Sequence, residues 1–241
     1  MTIRTLPVVA IDGPVGAGKS TAARGLARAL GFDYLNTGAM YRAVAVAARY
    51  ISIGEGAGDH RLEKLLDSII ISFEGERVSL DGKDVSAEIV QPEIGDLASR
   101  LSTLPAVRAR LGKLQRAAGE GGGVVMEGRD IGTAIFPDAE FKFFLTADVR
   151  VRAARRFAEL TAKGAPITEA EVLQQLQERD RRDQERDLAP LRKADDAIVI
   201  DSSALNIEQV VSAMLTRIEQ SAACSTSVVN RAHTMRDLKR R

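Results

Sequence analysis

Tryptophan is absent from the 241-residue sequence and aromatic residues make up only 4% of it, which leaves little material for a surface that stacks single-stranded bases. Cysteine occurs once, at Cys224, so no intrachain disulfide can form, and a reducing cytoplasm is the expected compartment. An excess of either charge is missing too. With 34 Lys and Arg against 33 Asp and Glu, the net +1 offers no global attraction for a nucleic acid polymer. No apolar run approaches the roughly 18 residues needed to cross a bilayer, and the one in MTIRTLPVVAID is too short for a signal-peptide core. What is present is 45% hydrophobic residues, enough for one main core and a small attached lobe.

Short apolar runs alternate with helical patterns along the chain. PVVAI (7–11), GVVMEG (123–128), FKFFL (141–145) and DAIVID (196–201) read as strands. Leu26 and Leu30, with Ala22, Ala23 and Ala27, form the apolar face of a helix that Gly31 stops. The alternation predicts an α/β fold with a parallel core sheet covered by helices. Residues 69–90 break the rhythm, because β-rich pieces are divided by turn chemistry at Glu74-Gly75-Glu76 and Asp81-Gly82; a small antiparallel insertion is expected there. Gly54, Gly56 and Gly58 mark a loop leading into it. Residues 148–192 carry Arg150, Arg152, Arg155 and Arg156, then QERDRRDQERDLAPL, whose charges mostly read as (i, i+4) pairs on a solvated helix. The small, polar and finally basic stretch from Ser221 to Arg241 reads as a disordered tail.

AIDGPVGAGKSTAARGLARAL carries the chemistry. Gly13, Gly18, Lys19 and Ser20 satisfy G-x-x-x-x-G-K-[ST] with a strand before and a helix after, the arrangement that cradles nucleotide phosphates. Glycine lets successive N–H groups turn inward and the helix start adds partial positive charge, while Lys19 reaches the β and γ phosphates and the Ser20 hydroxyl serves Mg²⁺. A GTP switch would need an Asn-Lys-x-Asp base reader, and the nearest stretch, Arg192-Lys193-Ala194-Asp195, lacks the Asn. Asp201, after AIVI, is read as a strand-end residue near the nucleotide base. Arg42, Arg129, Arg179 and Arg186 fall at expected loop or lid positions and suit a second, phosphorylated substrate. A phosphate monoester is largely ionised near pH 7, with a second pKa of roughly 6. Such an acceptor needs no general base, and no lone base stands out.

IDGPVGAGKSTAARGLA, LNTGAMYRAVA, LASRLSTLPAVRARLGKLQR, EGRDIGTAIFPDAEFKFFLTAD, RAARR, ERDRRDQERDLAPL and ADDAIVIDSSALNIEQV resemble, in order from about residue 8 to about 219, the bacterial cytidylate kinases. The resemblance implies a P-loop kinase domain over 1–220, with a monophosphate-binding lobe near 38–108 and a helical lid near 148–192. It implies transfer of the γ-phosphoryl of ATP, with Mg²⁺, to CMP or dCMP, by a monomer. Gly13, Pro14, Val15, Gly16, Ala17, Gly18, Lys19, Ser20 and Thr21 would bind ATP phosphates, with Arg155 and Arg156 in the lid near ATP. Thr37 and Arg42 would approach the acceptor, and Ser99, Arg108 and Asp130 would read cytosine, the carboxylate accepting from the exocyclic amine. Arg129, Arg179 and Arg186 would hold the acceptor phosphate and the moving group, and Asp183 the sugar. Glu127 stands where some relatives have Asp, and its role is left open. Each assignment has a plainer rival: an exposed helix serine at Ser99, a neighbouring acid for Arg108, a cap at Asp130, and an (i, i+3) helix pair of Asp183 with Arg186. Another small-acceptor P-loop kinase, such as a dephospho-coenzyme A kinase or a kinase for a different monophosphate, and a nucleotide-binding regulatory module that lost turnover are the competing functions.

Overall fold

Val8, Val9, Ala10, Ile11 and Asp12 are all buried, as a strand covered on both faces must be, and they form the central strand β1 (Val8–Asp12) of a five-stranded sheet. The computed structural model describes residues 4–49, 60–75, 77–162 and 164–223. The expected glycine loop at 54–58, Glu76, Cys224 and the tail from 224 onward lie outside them. The chain divides into two compact units, residues 36–118 and the segments on either side of them.

After β1 come α1 (Lys19–Leu30), β2 (Asp33–Asn36), α2 (Thr37–Ala48), α3 (His60–Ser68), β3 (Ile71–Glu74), β4 (Arg77–Leu80), β5 (Lys83–Asp84), α4 (Pro92–Leu101) and α5 (Pro105–Gly119). β6 (Val124–Glu127), β7 (Phe141–Thr146), α6 (Val149–Ala162), α7 (Glu169–Glu185), β8 (Ile198–Asp201) and α8 (Ile207–Ala223) complete it. The main sheet has the order β2-β6-β1-β7-β8, and β1 pairs in parallel with β6 (Val8 opposite Val124) and with β7 (Val9 opposite Phe141). β2 is a strand that the apolar pattern did not signal: only Leu35 of Asp33-Tyr34-Leu35-Asn36 is buried. Its place is set by tertiary pairing, including Asp33 N–H to Gly123 O at 2.9 Å.

Leu26, Ala22 and Ala23 of α1 pack with Val9, Ile11, Phe143 and Leu145 of the sheet and with Val210, Met214 and Ile218 of α8. Gly25 permits this approach, since a Cβ there would stand 2.9 Å from Val211 Cγ2. Gly31 ends α1 in the left-handed conformation with φ 70, as expected of a C-terminal glycine. α8 continues through Ala223, so Ser221 to Ala223 are helical and the expected tail begins at least three residues too early. No helix among the described residues is long and apolar enough to cross a membrane.

In the unit of residues 36–118, β3, β4 and β5 form a three-stranded antiparallel sheet, and α2 packs on α4. Asp81 at φ 50 and Gly82 at φ 79 make the tight β4–β5 turn that the Asp-Gly pair announces.

Candidate functional site

In open parallel sheets, ligands gather beyond the carboxyl ends of the strands, where successive connections leave in opposite directions. Here β1 sits between β6 and β7, and the segments that follow β1 and β6 are the glycine turn 13–18 and Gly128-Arg129-Asp130.

The glycine turn is shaped by positions no side chain can take. Gly13 has φ 147, and a Cβ there would run into the carbonyl oxygen of Leu145; Gly18, at φ 88, is the N-cap of α1. Three carbonyls of the loop have side-chain donors. Lys19 Nζ donates to Pro14 O at 2.7 Å, Arg152 Nη1 to Val15 O at 3.1 Å, and Ser202 Oγ to Ala17 O at 3.1 Å. A glycine turn that runs straight into a helix start offers N–H groups and the positive end of α1 to an anion. Ser20, the second residue of α1, is only partly exposed and hydrogen-bonds Tyr34, which in turn donates to Glu127 Oε1 at 2.8 Å. Burial, followed by the charge and hydrogen bond of Glu127, keeps the Tyr34 phenol protonated far above its ordinary range.

Buried charges of both signs surround this loop. Lys19 is buried, and burial followed by the nearby Arg129 lowers its ammonium to about 7, against the pull of Glu127, Asp12 and Asp183. Arg129 Nε donates to Asp183 Oδ2 at 2.9 Å and Arg129 Nη1 to Gly128 O at 3.2 Å. Arg186 Nη2 lies 3.5 Å from Asp130 Oδ1, and its Nε donates to Ala189 O at 2.8 Å. Burial works against the Asp183 carboxylate, yet Arg129, Arg179 and Arg186 together hold it below its ordinary range. Cationic side chains that suit phosphate oxygens are thus already gathered and balanced by carboxylates.

The structure places the expected residues in two groups. Lys19, Ser20, Arg129, Asp130, Arg179, Asp183 and Arg186 belong to the unit built on the main sheet. Thr37 and Arg42 on α2, Ser99 on α4 and Arg108 on α5 belong to the unit of residues 36–118. Arg42 lies inside α2 rather than in a loop; Arg179 lies inside α7, within the stretch 148–192 read as a helical lid; Arg129 lies in a loop and Arg186 is the C-cap of α7. Thr37 and Ser99 are both buried, which removes the exposed-serine reading of Ser99. Arg108 donates to Ser102 O at 3.4 Å rather than to a neighbouring acid in that bond. The side chain of Asp130 makes no capping bond to the turn that follows it, and Asp183 pairs across the chain with Arg129. Arg155 donates to Ser202 O at 2.7 Å, Arg156 pairs with Glu159, and Asp201 accepts from Ser203 N–H at 2.8 Å. Arg181, with Glu178 and Glu185, is the solvated helix pairing the charge pattern suggests.

Sequence reasoning missed two holders of the loop, Arg152 and Ser202, and the buried Asp12 beside it. Arg152 is buried and pairs with Asp180 of α7 at 2.7 Å while reaching Val15 O, yet in the sequence it is one arginine among four at similar spacing. Ser202 lies in a matching segment, but nothing there marks it as a partner of Ala17 O. Asp12 stood in plain view, an acid closing an apolar strand just before Gly13.

Residues 9–220 match the cytidylate kinase family. A cytidylate kinase of Methylococcus capsulatus is 46% identical over 217 residues, 89% of this chain and 98% of that protein. One of Caldanaerobacter subterraneus subsp. tengcongensis is 49% identical over 205 residues, 84% and 90% of the two chains. Among solved structures, an uncharacterized protein of Eubacterium ventriosum ATCC 27560 shares the fold at a TM-score of 0.50 and 15% identity, covering 88% of this chain and 98% of that one. With its glycine turn and gathered arginines, and with residues 9–220 matched to the family model, the chain belongs to the cytidylate kinase family.

Proposed function

We infer that this protein transfers the γ-phosphoryl group of ATP to CMP or dCMP, giving ADP and CDP or dCDP. The observation that carries the reading is the joint placement of the glycine turn, held in part by Lys19, with Arg129 and Asp183 near Lys19 and Arg186 on Asp130.

In this reading residues 13–21 hold the ATP phosphates, with Arg155 close to ATP through the segment it shares with Ser202. By the resemblance, Thr37 and Arg42 are assigned to the acceptor and Ser99, Arg108 and Asp130 to its base. A carboxylate accepts from the amine of cytosine, whereas uracil offers an acceptor there and would leave the buried Asp130 without a donor. Asp183 takes a sugar hydroxyl. Residues 148–192 act as the lid.

The acceptor oxygen arrives ionised, so the protein's task is positioning and neutralising charge. Arg129 and Arg186 exchange their carboxylate partners for phosphate oxygens, and Lys19 leaves Pro14 O for the transferring group. Because Arg179, Asp183 and Arg186 share α7 and its end, closure of that segment would bring charge and exclude water in one movement.

Mg²⁺ fits the donors present. Among the described residues no cluster of three or more acidic, His or Cys side chains forms a cage, and Mg²⁺ characteristically takes one or two protein oxygens with water and phosphate. Ser20 would supply its hydroxyl, and the ion would neutralise charge on the phosphates during transfer. The protein is read as a cytoplasmic monomer.

The test is ADP production with ATP, Mg²⁺ and, separately, CMP, dCMP, UMP, AMP or no acceptor. Fast turnover with CMP and dCMP alone is expected. Equal activity with UMP or AMP would discard the reading of Asp130, and silence in every tube with ATP still bound would discard the transfer.

A further inference from the structure

Asp12 is the buried acid that the phosphoryl-transfer reading leaves without a task. It is the last residue of β1, is 5% exposed, and makes two hydrogen bonds far along the chain: Oδ1 accepts from Ile131 N–H at 2.8 Å and Oδ2 from Gly132 N–H at 2.7 Å. Both acceptors point into the start of the wide turn 131–135, which closes through Phe136 N–H to Ile131 O at 2.7 Å. That turn leaves no slack. A Cβ on Gly132 would stand 3.1 Å from Lys142 Cδ and 3.5 Å from Asp12 Oδ2.

One residue after Asp12 is Gly13, where the glycine turn begins, and one residue before Ile131 is Asp130, preceded by Arg129. We propose that Asp12 is a positioning residue for acceptor binding: its two-pronged carboxylate fixes Arg129 and Asp130 relative to the glycine turn through the Ile131 and Gly132 amides. The inference rests on the kinase reading, which supplies the roles of Arg129 and Asp130. The geometry suits such a task because transfer is sensitive to misplacements of about 1 Å, which cost on the order of 100-fold. A lone structural cap would not need both oxygens, nor a place between the two loops. Burial, then the neighbouring Asp130, raise the Asp12 carboxyl to about 6, opposed by the two amide bonds and Lys19, so the carboxylate is kept ionised near neutrality by the contacts it makes.

The experiment compares wild type with Asp12→Asn and Asp12→Glu by CMP kinetics, ATP binding by calorimetry without CMP, and thermal unfolding. Asparagine offers one acceptor and sets its NH₂ against the other amide; glutamate keeps the charge beside Lys19 but moves the oxygens. Both variants are expected to raise the KM for CMP and lower kcat, together about 10- to 100-fold, with the Kd for ATP within about twofold of wild type. An active wild type with an equally active Asp12→Asn overturns the inference, as does a parallel loss of ATP binding. A near-normal Asp12→Glu overturns it too, since charge alone would then suffice. Should the variants not fold, amide exchange in the intact wild type serves: slow exchange at Ile131 and Gly132 is expected, and exchange at the rate of open amides overturns the proposal. A wild type silent with CMP would instead count against the kinase reading.

Discussion

Lys19 donates to the carbonyl of Pro14 while burial and Arg129 bring its ammonium down to about 7. A phosphate group placed against it restores the charged form. ATP binding at pH 8 is therefore expected to take up protons, measured as a dependence of the calorimetric heat on the ionisation enthalpy of the buffer; Lys19→Met should abolish that dependence. Arg186 reaches Asp130 and the Ala189 carbonyl but no part of the glycine turn in those contacts. Arg186→Ala is thus expected to lower phosphoryl transfer by about 10²- to 10³-fold, with ATP affinity little changed, and equal losses in rate and binding would contradict its role. The glycines, Lys19 and Ser20 were legible from sequence because each type has a backbone or chemical duty at a set spacing. Asp12, Arg152 and Ser202 were not, because their duties are to backbone groups more than 100 residues away, and nothing local marks those partners.

Among the elements, those with an apolar face announced themselves, and those held by partners did not. β1 and β6 are buried along their whole length and β7 carries the apolar run FKFFL, whereas β2 has one buried residue and the sheet decides its conformation. The charged stretch of α7 hid two kinds of residue in one pattern: Arg181 faces solvent with Glu178 and Glu185, while Asp180 and Asp183 turn inward to Arg152 and Arg129. The Arg152–Asp180 pair is nearly closed to solvent and joins α6, α7 and the Val15 carbonyl. Arg152→Met is expected to destabilise the fold by about 3 kcal/mol in urea titrations, because it leaves a buried carboxylate without its cation. Asp180→Asn should cost a similar amount, since it leaves the buried Arg152 guanidinium without its anion. At the start of α7, Thr168 and Glu171 form a reciprocal capping box, so Thr168→Ala should lower stability by about 1 kcal/mol without altering CMP selectivity.

For the molecule as a whole, two groups oppose each other in their effect on stability with pH. The folded Asp12 carboxyl, raised to about 6, binds a proton more readily than in the unfolded chain, so its contribution to stability falls as pH rises from about 4 to 6. The folded Lys19, lowered to about 7, binds its proton less readily than when unfolded, so stability gains as pH rises from about 7 toward 10. Lys19→Met should therefore be more stable than wild type at pH 7 by a margin that shrinks by pH 9; a constant margin would contradict the shift. The parallel sheet has one more consequence, which concerns time. β1 leaves the ribosome first but must wait for Val124 to arrive opposite Val8 and Phe141 opposite Val9. At about 5–20 residues per second, that strand stays without its neighbours for on the order of ten seconds in every round of synthesis. Its five-residue length and terminal Asp12 then serve the nascent chain as well as the finished one, since a short apolar run closed by a charge is a poor template for aggregation.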